Sequence, residues 1–87
     1  MAFAVEFSSG AERDFVSLPE RDKVRIAKAI YRMSDDPRRA SNVKKLTGDN
    51  RYRLRVGDWR ILYEVQDERS VVLVLKVGHR REVYRRR

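Results

Sequence analysis

The apolar positions of this chain repeat with two different periods, and the period changes along the sequence. Near the start, Phe3, Val5 and Phe7 alternate with smaller or charged residues. A period of two residues indicates a half-buried strand, because successive side chains of a strand point to opposite faces of a sheet. Residues 2–7 are therefore predicted to form the first strand.

The next segment changes to a helical period. Ser8 or Ser9 can cap a helix, and Glu12 follows Ser9 at the spacing of a capping box. Pro19 suits the first turn of a second helix, which Asp35-Asp36-Pro37 should end. The apolar stripes of these two helices comprise Ala11, Phe15, Leu18, Val24, Ala27, Ile30 and Tyr31. The segment is thus predicted to form a helical hairpin.

Alternation with a period of two returns in residues 52–65 and is interrupted only by Gly57-Asp58. A Gly-X pair suits a two-residue type II′ turn, which joins two antiparallel strands. That turn places Arg55 directly opposite Arg60, with Arg53 on the same face. Like charges opposed across two strands destabilise a sheet by roughly 0.2–1 kcal/mol. A bound polyanion is the explanation that we favour for this arrangement.

Two further segments complete the predicted sheet. Residues 43–46 suit a short strand before Gly48, and residues 70–77 contain an unbroken apolar run typical of a strand inside a sheet. The predicted order is β-α-α-β-β-β, with one more strand if residues 43–46 pair. Residues 1–87 are thus expected to form one α+β domain. A helical hairpin should cover one face of a largely antiparallel sheet and leave a basic face opposite.

The charge of the chain is strongly positive and unevenly distributed. The formal net charge is +8, and residues 1–50 contain 10 basic and 8 acidic side chains whereas residues 51–87 contain 11 and 5. The second part therefore carries +6 of the total. Such a balance favours a polyanionic partner, and it locates the binding surface in residues 51–87.

Other classes of protein are disfavoured by what the composition lacks. The sequence has no cysteine and one histidine, so we expect no metal site and no cofactor. No segment approaches the roughly 20 apolar residues that cross a bilayer, and the short apolar run at the start is broken by Glu6. We therefore expect a cytoplasmic protein without a membrane partner.

Groups suited to proton transfer follow the last predicted strand. His79 has an ordinary pKa near neutrality, Arg80 is a permanent cation, and Tyr84 can stack on a base or transfer a proton. Each also has a purely structural alternative, because a lone histidine at a strand end or an aromatic residue near it commonly packs against the domain. RNA cleavage suits this set, since the 2′-OH of RNA is itself the nucleophile and an enzyme needs only to orient it, stabilise charge and move protons.

The sequence resembles the RelE/ParE superfamily of toxins, and its RelE branch more closely. The motifs that carry the resemblance are Lys45-Leu-Thr-Gly48, Tyr52-Arg-Leu-Arg55, Trp59-Arg-Ile-Leu-Tyr63, Val77-Gly-His-Arg80 and Glu82-Val-Tyr84. The resemblance implies the toxin of a type II toxin-antitoxin system, a ribosome-dependent mRNA endonuclease. It also implies two sets of partners, namely the ribosome with its message and a cognate antitoxin in a hetero-oligomer.

Residue roles follow from the same resemblance. It implies catalytic roles for Arg55, Arg60, Arg80 and Tyr84, and the near-neutral pKa of histidine adds His79 as a catalytic candidate. The expected RNA-binding residues are Lys45, Arg53, Arg55, Arg60 and Arg81. Well-known RelE proteins have lysines where this chain has Arg53 and Arg55, and one of those lysines is a proposed base. Because arginine is a poor proton acceptor, the base role passes to His79 or Tyr84. The spacing from Arg80 to Tyr84 is also shorter here.

Two other functions are compatible with these residues. A ParE-like inhibitor of DNA gyrase would use the same fold without nuclease chemistry. An RNA-binding module without catalytic activity would keep the arginines and lack a base.

Overall fold

The computed structural model describes residues 2–46, 48 and 50–83. It contains five strands, two helices and a short 3-10 turn. In chain order they are β1 (Ala4–Phe7), α1 (Ser9–Val16), α2 (Glu20–Met33), β2 (Val43–Lys45), β3 (Arg51–Val56), β4 (Trp59–Gln66), the 3-10 turn (Asp67–Arg69) and β5 (Val71–His79). Among the described residues, neither helix is long and apolar enough to cross a membrane.

The strands form one sheet in the order β1-β5-β4-β3-β2. Every neighbouring pair is antiparallel except β1 and β5, which run parallel. The predicted α+β class and the largely antiparallel sheet are therefore confirmed, and residues 43–45 do supply the additional strand.

The β3–β4 hairpin has the predicted register. Arg55 lies opposite Arg60, and Val56 lies opposite Trp59 across the two-residue turn. Gly57 has a φ of 58°, which the first central position of a type II′ turn requires and which glycine adopts without strain. The turn chemistry thus fixes which side chains share each face of β3 and β4.

Both helices pack on the same face of the sheet. Their buried residues meet the alternate side chains of β3, β4 and β5 in one core, which contains Ala11, Leu18, Ile26, Ile30, Met33, Tyr52, Leu54, Ile61, Tyr63, Val65, Val72, Val74 and Val77. The first helix has one of its two predicted caps, whereas the second begins one residue after Pro19. The cap of α1 is Ser8, whose Oγ accepts a hydrogen bond from Ala11 N at 3.1 Å, and Pro19 precedes α2 as its N-cap.

Strand β5 lies inside the sheet, as predicted, but it continues to His79 rather than ending at Val77. Its pairing with β4 shifts by one residue next to Leu62 and Tyr63. As a result, Val74 and Val77 both face the helices although they are three positions apart, a spacing that puts residues of a regular strand on opposite faces. This irregularity decides which face receives the residues at the end of β5.

A cluster around Arg38 ties the loop after α2 to the far end of the hairpin. The Arg38 guanidinium donates to both carboxylate oxygens of Asp67, at 3.0 and 2.7 Å, and its Nε donates to the Tyr52 hydroxyl at 3.1 Å. Tyr63 stacks on Tyr52 and donates its hydroxyl hydrogen to the carbonyl of Pro37. Burial raises the pKa of Tyr63 above its ordinary value, so this hydroxyl stays protonated and remains a donor.

Candidate phosphate-binding site on the uncovered sheet face

The face of the sheet opposite the helices carries the paired arginines of the hairpin, and we call it the open face. Arg55 and Arg60 are directly opposed there. The Arg60 guanidinium turns toward the hairpin turn, where its Nη1 donates to the carbonyl oxygens of Gly57 and Trp59 at 2.9 and 3.0 Å. Arg55 is exposed, and its Nη2 lies 3.4 Å from Asn42 Oδ1. The two charges are therefore held apart at the same end of the hairpin.

Lys44 extends this basic surface, because it is the register partner of Arg53 on β2. Lys76 of β5 is the register partner of Leu62, but its Nζ lies 3.6 Å from the Asp14 carboxylate of α1, which balances its charge. The Nε of Arg53 is buried without a hydrogen-bond partner. Sequence reasoning missed both lysines, although the hairpin register together with pairing of Val43 to Leu54 would have indicated Lys44.

Arg80 joins the hairpin through the turn that follows β5. Its backbone N donates to the carbonyl oxygen of Asp58 at 2.7 Å, and its Nε lies 3.7 Å from the Asp58 carboxylate. Asp58 is the second residue of the hairpin turn on which Arg60 also folds. The structure therefore brings Arg60 and Arg80 to one two-residue turn, although 20 positions separate them in sequence.

Gly78 and Val83 shape the open face beside Arg60. Gly78 is the register partner of Arg60, and a Cβ on Gly78 would lie 3.4 Å from Cβ of Val83. Val83 is buried but lies outside the helix-side core. It therefore folds back over Gly78 and fixes the chain immediately before Tyr84, a predicted catalytic residue that lies outside the described residues.

The structure separates two predicted site residues from the arginines. His79 is the register partner of Trp59, and its ring packs edge-on against the indole with centroids 5.7 Å apart. Lys45 is the partner of Tyr52. Since Trp59 and Tyr52 belong to the helix side of the sheet, the register assigns His79 and Lys45 to the face opposite Arg60.

His79 has a structural contact of its own. Its Nδ1 accepts a hydrogen bond from the backbone N of Arg81 at 3.2 Å, and its carbonyl accepts one from Val83 N at 3.0 Å. These bonds close the turn that carries Arg80 and the exposed Arg81. An Nδ1 that accepts a hydrogen bond leaves the ring proton on Nε2 in the neutral form, so His79 is already used to shape the turn.

The chemistry of this surface is that of anion binding. Guanidinium groups stay charged at neutral pH and offer paired N–H donors that match phosphate oxygens. Arg55, Arg60 and Arg80 surround one end of the hairpin, with Arg53 and Lys44 further along the same face. In the part of the chain that the structure describes, no group of three acidic, histidine or cysteine side chains is arranged to hold a metal ion.

Known proteins are similar to this chain in sequence along almost their whole length. Toxin RelG of Mycobacterium tuberculosis is 32% identical over 87 residues, covering 99% of this chain and 100% of that protein. The mRNA interferase toxin RelE of Escherichia coli is 29% identical, with 97% and 92% covered.

Solved structures match equally well. The toxin-antitoxin complex RelBE2 of Mycobacterium tuberculosis contains a chain with a TM-score of 0.80 and 29% identity, covering 91% of this chain and 92% of that one. The intact RelBE complex of Escherichia coli gives a TM-score of 0.80 at 25% identity, with 90% and 96% covered. The resemblance to RelE-like toxins is therefore confirmed.

The fold has two helices and a five-stranded sheet, and the similarity to RelE-type toxins extends over nearly the whole chain. The protein is therefore a toxin of the RelE/ParE class. The chain belongs to the family described as the ParE toxin of type II toxin-antitoxin system, parDE, whose model matches residues 5–84.

Proposed function

We propose that this toxin is a ribosome-dependent mRNA endonuclease. The observation that carries the proposal is the convergence of Arg60 and Arg80 on the Gly57-Asp58 turn, with Arg55 directly opposite Arg60. A relative from Escherichia coli is named an mRNA interferase, and this surface offers the phosphate-binding groups that such a reaction needs. The activity belongs in the cytoplasm, where messages are translated.

The proposed reaction uses the RNA as its own nucleophile. The 2′-oxygen loses its proton and attacks the adjacent phosphorus, while the bond to the 5′-oxygen breaks and that oxygen gains a proton. The products are a 2′,3′-cyclic phosphate and a 5′-hydroxyl. Arg60 and Arg80 bind the non-bridging oxygens and stabilise the negative charge that builds up on them. Arg55 and Arg53 hold the neighbouring backbone.

The reaction also needs a group that accepts the proton of the 2′-OH. His79 lies on the other side of the sheet and its Nδ1 accepts a hydrogen bond from Arg81, so we assign it a positioning role for the turn. Tyr84, which lies outside the described residues, is then the remaining proton-transfer group of this proposal. Much of the rate enhancement would come from charge stabilisation and from orientation of the message on the ribosome.

Substitution of the phosphate-binding arginines tests the proposal. Arg60→Ala and Arg80→Ala should each reduce cleavage of mRNA on translating ribosomes by roughly 10²-fold, which is typical for loss of a group that stabilises charge in a transition state. Cleavage is measured by mapping the 5′ ends of a defined message. Arg13→Ala, an exposed arginine on α1, is the matched control and should cleave normally. Full cleavage by the folded Arg60→Ala/Arg80→Ala double variant would contradict the assignment.

A gyrase inhibitor is the second candidate function. It is favoured by the description of the matching family as the ParE toxin and by the position of His79 away from the arginines. Inhibition of supercoiling by stoichiometric protein, without new 5′ ends in ribosome-bound mRNA, would identify this activity. Ribosome binding without either effect would instead indicate an RNA-binding module.

We propose a cognate antitoxin as the physiological partner. Solved relatives are complexes of RelE-type toxins with antitoxins, including the RelBE complex of Escherichia coli, and an acidic or amphipathic segment would complement the open face. Co-expression of the antitoxin should relieve growth arrest, and its binding should protect Arg53, Arg60 and Arg80 from an arginine-modifying reagent. Equal modification in the free toxin and in the complex would exclude direct masking of this face.

A further inference from the structure

A second basic surface lies on α2, away from the open face. Arg21, Arg25, Lys28 and Arg32 are exposed and recur at i, i+4, i+7 and i+11, the spacing that aligns side chains along one side of a helix. The rise of 1.5 Å per residue spreads them over roughly 16 Å of helix. We call this row the α2 stripe. The open-face site does not use any of its members.

The α2 stripe borders a groove between α2 and the edge of β3. The groove has a volume of about 680 Å³, and Arg25, Lys28 and Arg32 line one side of it while Arg55 lines the other. Arg25 lies against the hairpin turn, since a Cβ on Gly57 would come within 2.7 Å of its Nη2. Cations from a helix and from the sheet therefore face the same space, which we call the α2 groove.

The α2 groove is continuous with the open face at the edge of the sheet. The ladder between β2 and β3 ends at the pairing of Val43 with Leu54, and Arg55 N donates to the carbonyl oxygen of Asn42 at 3.0 Å just beyond it, so Arg55 lies at the end of the paired segment. Arg55 consequently lines the α2 groove and also lies opposite Arg60 on the open face. One basic surface thus runs from α2 around the edge of the sheet to the hairpin turn.

The charges in the α2 groove remain available to a ligand. Asp35 and Asp36 also line the groove, and Asp22 lies 3.5 Å from Arg25, so part of the positive charge is balanced. Lys28 and Arg32 take part in none of the ion pairs or side-chain hydrogen bonds found among the described residues. These two cations are the ones that an added polyanion would engage.

We propose that the α2 groove binds the sugar-phosphate backbone of structured RNA, separately from the message on the open face. This inference rests on the proposed function, under which that RNA is ribosomal. The toxin would then hold two RNA segments at once, one on α2 and one beside Arg60. Binding through two linked sites raises overall affinity without any new contact at the scissile phosphate.

Phosphate backbone fits this groove better than a protein segment does. A docked amphipathic helix needs apolar anchors along a hydrophobic groove, and the molecule has such a groove elsewhere, of about 550 Å³ between β1, α1 and α2, with Phe7, Val16 and Tyr31 in its lining. The α2 groove instead has a rim of cations, three of them guanidinium groups. Such groups bind phosphate oxygens in pairs.

Neutralising the two available cations tests the proposal. Lys28→Gln/Arg32→Gln should weaken binding to purified ribosomes about tenfold at moderate salt and lower the slope of log affinity against log salt by roughly 1.5–2, as expected when two phosphate contacts are lost. Arg13→Gln/Lys23→Gln removes the same charge from α1 and from a different side of α2, and should keep the wild-type slope. Binding is measured by co-sedimentation over a range of salt concentrations.

The outcomes separate this proposal from the nuclease proposal. Equal weakening by both pairs, or none by Lys28→Gln/Arg32→Gln, would overturn the α2 groove as an RNA site. Loss of antitoxin binding with unchanged ribosome binding would overturn it too, and would assign the groove to an acidic protein segment. If wild-type toxin fails to cleave mRNA but its ribosome binding depends on Lys28 and Arg32, the nuclease proposal fails and the RNA groove stands.

Discussion

Two positively charged residues of this molecule lie where their mutual repulsion destabilises the sheet. Arg55 and Arg60 face each other across the hairpin, whereas Arg51 on the same strand faces Glu64. The fold of Arg60 back onto the turn carbonyls reduces the repulsion but leaves both charges on one face. Such an arrangement is typical of a surface adapted to an anionic ligand rather than to stability alone.

The Arg55→Gln variant should therefore be more stable than the wild type. Removing one of two opposed cations is expected to raise the free energy of unfolding by about 0.5 kcal/mol, a modest value because Arg55 is exposed. Urea unfolding at low salt measures the gain, which should disappear at high salt, where exposed charges are screened. Arg51→Gln is the matched control and should lower stability, since Arg51 faces an acidic residue. A loss of stability in both variants would contradict the repulsion.

The prediction of single residues from the sequence succeeded where a turn fixed the register. Gly57-Asp58 was enough to predict that Arg53, Arg55 and Arg60 share a face, and the structure confirms it. The same reasoning could not predict on which face of the sheet Lys45 and His79 lie. Lys45 depends on how β2 pairs with β3, and His79 depends on the register shift between β4 and β5. An unbroken apolar run such as Val71–Leu75 has no alternation that would reveal that shift.

At the scale of elements, the helical hairpin and the β3–β4 hairpin were predictable because their signals are local. The pairing of β1 with β5 was not, since it joins segments at opposite ends of the described chain. The hydrogen bonds that join the loop after α2 to the sheet also involve residues that are far apart in sequence. Arg38, in the loop after α2, donates a hydrogen bond to Asp67 at the start of the 3-10 turn, and neither residue belongs to a recognisable motif.

This connection makes stability depend on pH. Hydrogen bonds from Arg38 hold the pKa of Asp67 below its ordinary value, so the ionised carboxylate favours the folded state. The stabilisation is present above the ordinary aspartate pKa of about 3.9 and is lost as pH falls through the lower folded-state pKa. Asp67→Asn should lower Tm by a few degrees at pH 7, and its deficit relative to the wild type should shrink below pH 3.

Thermal melts from pH 2 to pH 7 measure this effect. Glu68→Gln removes a neighbouring exposed carboxylate that takes part in no ion pair among those found in the described residues. It should melt like the wild type at every pH. If the Tm of Asp67→Asn is lower than that of the wild type by the same amount at every pH, the charge of the carboxylate is not the source of the stabilisation.

At the scale of the whole molecule, the two faces of the sheet differ in chemical character. The helices bury one face in the core, and the hairpin arginines Arg53, Arg55 and Arg60 lie on the other. The register set by the Gly57-Asp58 turn predicted this difference, because it puts Arg53, Arg55 and Arg60 on the face opposite the apolar residues of the hairpin. The α2 groove was not predicted, since it forms only when α2 lies beside the edge of β3.

The parallel pairing of β1 with β5 has a consequence for synthesis. The first strand in chain order receives its hydrogen-bonding neighbour only when the last strand has left the ribosome, because Ala4 pairs with Val71. The turn that brings Arg80 to Asp58 follows β5 and forms later still. A nascent chain therefore has the hairpin arginines before it has a closed sheet. The complete arginine cluster therefore forms only after every strand of the sheet has been synthesised.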